Sequence, residues 1–165
     1  MMGSWLVWAV VALAIIAAGM CAWVLKLKYA AGTCTAANIS LEAGQQSGAA
    51  GTIYQHMKLT NTGVKSCTIS GFPTAFLYGS NGYAIGSAAA AQSQIAPTLI
   101  TLAPGETAHT TLGYPQAGNF NPGVCSDTKS TMLKLYLPSG TVALETPLEV
   151  AWCPGFSSTA IQAGN

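Results

Sequence analysis

Charge is what this sequence has least of. Only 7% of its 165 residues are charged, against about 25% in ordinary soluble proteins. There is no arginine, and six lysines against five acidic residues leave a net charge of +1. A nucleic-acid surface needs a stripe of basic side chains to neutralise phosphates, so nucleic acid is excluded as a partner. Histidine is nearly missing as well: His56 and His109 are the only two. General acid–base catalysis needs positioned ionisable groups, and no G-x-S-x-G stretch marks a nucleophilic serine. The chain is therefore read as non-enzymatic, with no catalytic residue and no cofactor. No two cysteines stand at C-x-x-C spacing, which excludes a zinc knuckle or a thioredoxin-like site.

Long apolar runs are present once. "WLVWAVVALAIIAAGMCAWVL", Trp5 to Leu25, carries no charge. As a helix at about 1.5 Å per residue it spans roughly 31 Å, close to a bilayer core of about 30 Å. Trp5, Trp8 and Trp23 lie towards its ends, where indole rings favour the membrane interface. A cleaved signal peptide is the alternative. It has a basic stretch before a shorter apolar region, and the leading "MMGS" has no basic side chain. The expectation is an uncleaved single-pass anchor over residues 1–29, engaging the membrane through residues 5–25.

Cys21 lies inside that run. The remaining four cysteines, Cys34, Cys67, Cys125 and Cys153, make an even set, as in exported domains held by disulfides. Three pairings are open, and the sequence does not choose among them; Cys34–Cys67 with Cys125–Cys153 is the working expectation. Lys26 and Lys28 pull against export, because basic residues tend to stay on the cytoplasmic side. The four cysteines are weighed above the two lysines, which places the domain outside the cell membrane.

After residue 30 the apolar pattern has period two, the mark of half-buried strands. It appears in "NISLE" (38–42), "TIYQHMKLT" (52–60), "TAFLY" (74–78), "PTLITL" (97–102), "TAHTTLGY" (107–114), "TMLKLYL" (131–137), "TVALE" (141–145) and "LEVAW" (148–152). "NTG" (61–63) reads as a hairpin turn and "APGE" (103–106) as a Pro-Gly turn. "GSAAAAQSQ" (86–94) reads as a short helix or a crossover, and Trp152 as a filler of the core. Short strands separated by Gly, Pro and Asn turns predict an all-β sandwich. The expected layout is anchor 1–29, linker 30–33, sandwich 34–155 and tail 156–165.

The order of motifs carries a resemblance. "GTIYQHMKLTNTG", "NTGVKSCTISGFP", "TLAPGE" and the late "VAWCPG" resemble the family called domain of unknown function 4232. The resemblance implies an immunoglobulin-like β-sandwich on the outer side of the membrane of actinobacteria and related bacteria. It brings no catalytic residues.

Two kinds of site remain to be weighed. The first is a binding surface of outward aromatics, Tyr54, Tyr83, Tyr114, Phe120 and Tyr136, together with the loop 114–123, for an envelope protein or a glycan. Aromatics are favoured at binding hot spots, although an aromatic near a strand end often belongs to the core. The second is a copper site of His56, His109 and Met132, since imidazole and thioether ligands suit copper. His56 and its neighbour Met57 point to opposite faces of a strand, which counts against their sharing a metal. The primary reading is a membrane-anchored, extracytoplasmic, non-catalytic binding or structural domain.

Overall fold

The computed structural model describes residues 31–138 and 140–164. The expected membrane span at 5–25 lies outside these residues. The described chain is all-β, without an α-helix. Its strands are β1 (Gly32–Thr33), β2 (Ile39–Ala49), β3 (Thr52–Asn61), β4 (Cys67–Ile69), β5 (Thr74–Tyr78), β6 (Ala84–Ile85), β7 (Ala90–Gln92), β8 (Ile100–Leu102), β9 (Thr107–Pro115), β10 (Met132–Tyr136), β11 (Ala143–Pro147), β12 (Ser157–Thr159) and β13 (Gln162–Ala163). One 3-10 turn, Ala117–Asn119, interrupts the long loop after β9.

Three sheets result. The large sheet runs β2-β3-β9-β12-β7, with β13 also on β9; a four-stranded sheet runs β11-β10-β5-β6; a small one runs β1-β4-β8. Period-two alternation explains how they pack. On β3, Met57 and Leu59 are fully buried while Tyr54, His56 and Lys58 face out half-buried. On β10, Leu133 and Leu135 are fully buried while Met132, Lys134 and Tyr136 face out. Met57 and Leu112 of the large sheet share one apolar cluster with Ala75, Leu77 and Leu133 of the four-stranded sheet. Leu59, Ala108 and Ile161 share a second with Ile69, Ile100 and Leu102 of the small sheet. The inner faces therefore meet across a common core, as in a β-sandwich, and the outer faces of the large and four-stranded sheets look in opposite directions.

The "NTG" segment is not a hairpin turn. β3 pairs with β2 and β9, whereas the next strand, β4, pairs with β1 and β8. The chain crosses between sheets here, and Asn61 holds the crossing. Its buried side chain donates to the carbonyls of Lys65 and Leu102, each at 2.9 Å, and accepts from the Gly63 amide at 2.9 Å. Its backbone meets the Pro-Gly turn: Asn61 N donates to Glu106 O and Gly105 N to Asn61 O. Gly105, at φ +83°, supplies the left-handed residue that the turn requires.

Cys34 is bonded to Cys67, with Cα atoms 4.9 Å apart, and Cys125 to Cys153, at 4.3 Å. This is one of the three pairings open to the sequence. The first bond sits beside the parallel β1–β4 pair, where Gly32 faces Cys67.

Other expectations change. Residues 86–94 form no helix; Ala90–Gln92 is the edge strand β7, parallel to β12. Residues 148–152 form no strand beyond a bridge from Ala151 to Lys129. Leu148 and Val150 are buried as expected, and the chain before β10 partners the segment irregularly: Ser130 N donates to Val150 O and Leu148 N to Thr131 O, while the buried Ser130 hydroxyl shares its one proton between the Leu148 and Val150 carbonyls and accepts from Val150 N. Trp152 is half-buried at the margin of the core. Its ring lies on Gly86, where an added Cβ would come within 2.1 Å of it, and its Nε1 donates to Ser87 O at 3.1 Å. The segment read as a tail is part of the domain. β12 and β13 both pair with β9, and Phe156, Ala160 and Ile161 are buried.

Candidate functional site

The five aromatics read from the sequence do not form one surface. Tyr114 is the clearest correction. It is 4% exposed and packs in the core, because β9 alternates Ala108, Thr110, Leu112 and Tyr114 onto its inner face. Its hydroxyl is buried without a hydrogen-bond partner among the described residues, and burial raises its pKa above the ordinary tyrosine value. Tyr54 and Tyr136 do face outward, but on opposite sides of the fold. Tyr83 and Phe120 stand on loops and line two neighbouring shallow hollows that meet at Ser126 and Asp127.

The outer face of the four-stranded sheet gathers Tyr136 with two aromatics that the sequence reading did not single out, Phe76 and Tyr78. Register places Lys134 between Phe76 and Glu145 on the neighbouring strands, and Met132 opposite Tyr78. Phe76 and Tyr136 meet edge to face at 6.2 Å. Lys134 Nζ lies 4.7 Å from the centre of the Tyr78 ring and 2.8 Å from Glu145. The hydrogen bond to Glu145, ahead of the charges of that carboxylate and the two tyrosines, raises the Lys134 pKa. "TAFLY" and "TMLKLYL" contain all of these residues except Glu145. Their alternation marks the outward positions, but the pairing of the two strands, which makes a patch of them, is set by tertiary register.

On the large sheet's outer face the two histidines come together. His56 on β3 is paired with Thr111 and His109 on β9 with Lys58, so the imidazoles are diagonal neighbours. Their rings stack with centroids 4.2 Å apart and planes 29° apart. His109 Nδ1 lies 3.1 Å from Gly164 O. A carbonyl only accepts, so Nδ1 carries the proton and Nε2 presents its lone pair. Partial burial, and then the neighbouring His109, hold the His56 pKa below the ordinary histidine value.

Opposite His56 the large sheet has a bulge. Ala43 pairs with Met57 and Gln46 with Gln55, so Gly44 and Gln45 together face His56. Buried Gln55 fixes the bulge by donating to Gly44 O at 2.7 Å and accepting from Gln46 Nε2 at 2.6 Å. An open cleft of about 570 Å³ results, lined by residues that include Gly44, Tyr54, His56, Lys58 and Thr111. The copper set expected from the sequence does not assemble. Met132 lies on the opposite outer face of the fold, and Met57 stays in the core. Among the described residues no three His, Cys, Asp or Glu side chains cluster in a way that could hold a metal ion.

With the crossover, the Pro-Gly turn and the cysteine pairs in place, the chain belongs to the family domain of unknown function 4232, whose model matches residues 34–164. The match includes β12 and β13. No curated protein and no solved structure matches the chain.

Proposed function

We propose that the protein is a membrane-anchored binding module, an immunoglobulin-like sandwich held on the extracytoplasmic side by residues 5–25. The carrying observation is the pair of disulfides, each closing a loop of about 30 residues in a domain with little charge. Such bonds persist in oxidising compartments and are rare in the cytosol. The apolar run ahead of the first cysteine supports the anchor. The role is non-catalytic, and the partner is an envelope protein or glycan.

The outer face of the four-stranded sheet is the best-suited surface for that partner. Phe76, Tyr78 and Tyr136 offer half-buried rings, and the Lys134–Glu145 pair lies among them. Aromatic side chains give large contact area at low entropic cost. The module is tested in intact cells by external protease together with non-reducing peptide mapping. Release of the domain with both disulfides intact is the expected result. A protected domain with four free thiols overturns the reading. Binding is tested by capturing partners from envelope extract with the full chain in detergent. Phe76→Ala and Tyr136→Ala are expected to abolish any specific capture, and capture unaffected by both removes this face from the reading.

A further inference from the structure

We propose that His56 and His109 form an open, two-imidazole site for a divalent transition-metal ion, with Cu(II) its preferred occupant. These are the only histidines in 165 residues, and the fold brings both, from separate strands, into ring contact on one face.

The geometry suits chelation. Imidazole nitrogens bind such metals at about 2.0–2.1 Å, which puts the centroids of two cis rings roughly 4.5 Å apart. The observed 4.2 Å is close, so modest side-chain rotations turn the stack into a bidentate pair. His109 already has the support usual for a metal-bound imidazole. Its Nδ1–H is held by a backbone carbonyl, which fixes the tautomer and leaves Nε2 as the donor. The bulge beside His56 opens the cleft that an ion and its remaining ligands need, and bulges recur next to functional sites.

The neighbouring charges balance. Lys58 is the cation on this face nearest in register, and Glu42 on β2 lies 3.7 Å from its amine. Two nitrogen donors with the other positions left to water rank divalent ions in the Irving–Williams order, where Cu(II) stands highest, and cis nitrogens suit its tetragonal geometry. Met132, on the opposite face, takes no part. The site is open to an additional ligand from solvent or from a partner.

The test is titration of Cu(II) into the full chain in detergent, followed by calorimetry and electron paramagnetic resonance. One ion per chain is expected at micromolar Cu(II), with hyperfine coupling from two imidazole nitrogens. His56→Ala and His109→Ala should each weaken binding about tenfold or more and leave one imidazole in the spectrum, while the metal-free melting temperature stays near that of the parent. No saturable binding at micromolar Cu(II) overturns the proposal. So does a spectrum of the parent chain without two imidazoles, a readout that holds even where a variant fails to fold. Equal binding by parent and variants places copper elsewhere and overturns it as well. Membrane topology does not enter this measurement, so it fails or succeeds independently of the proposed envelope role.

Discussion

Asn61 is fully buried, and it satisfies its polar atoms by tying together the ends of two strands and two turns. Truncation leaves the Lys65 and Leu102 carbonyls and the Gly63 amide without partners. Unsatisfied buried groups cost about 1–3 kcal/mol each, partly recovered where water enters. Asn61→Ala is expected to destabilise the domain by roughly 2–4 kcal/mol, read as a lower urea midpoint at unchanged slope. Asn61→Asp should be comparably harmful, because a carboxylate cannot donate to two carbonyls. Tyr114 presents the opposite case. Its buried hydroxyl has no partner among the described residues, so Tyr114→Phe removes a polar group unpaired there and leaves the ring packed. Stability should be unchanged or raised by about 1 kcal/mol, measured by calorimetric melting. Titration gives the sign independently. The folded pKa of Tyr114 lies above the unfolded value near 10, so the unfolded chain ionises first. Its share of stability is present at neutral pH and lost as pH rises beyond about 10. The phenylalanine variant should show a shallower alkaline loss.

At the scale of elements, β12 and β13 carry more than their length suggests. Removing residues 156–165 takes Phe156 and Ile161 out of the core, worth about 1.5–3 kcal/mol each, and strips β9 of its partners on one side. Against a typical total of about 5–15 kcal/mol, the truncated chain is expected to lose its cooperative thermal transition in circular dichroism. Sequence reading missed these strands for a physical reason. Ser157, Ser158 and Ala160 are small, and the two serines are buried by hydrogen bonding, Ser157 to Gly113 O and Ser158 to Pro73 O, so no apolar alternation announces them. The strands that do alternate bulky apolar residues, such as β3, β5 and β10, were legible almost to their ends. The crossover after β3 was not, because turn residues tell where a chain turns and not which sheet the next strand joins. Trp152 misled through its size: a ring that large suggests the core, yet its N–H needs a partner and finds Ser87 at the margin. The two histidines were grouped with Met132 as a copper set, but their contact was not legible. Alternation put both residues on outward faces, but only the β3–β9 register makes them neighbours.

For the whole molecule, the two disulfides are the largest single terms in sight. In the chain-entropy account each loop of this size is worth about 3–4 kcal/mol. Reduction is therefore expected to lower the melting temperature sharply, and Cys34→Ala/Cys67→Ala to reproduce part of that loss; a reduced domain that melts like the oxidised one contradicts this. The position of the first bond has a mechanical consequence. A pull on the chain ahead of Cys34 passes through the sulfurs straight into β4, so the residues between Cys34 and Cys67, with β2 and β3 among them, bear none of it. At about 3.4 Å per extended residue, the bond withholds roughly 110 Å of slack from a stretched molecule. Under tension the two longest strands of the domain, β2 and β3, cannot be paid out, whatever becomes of the chain after Cys67.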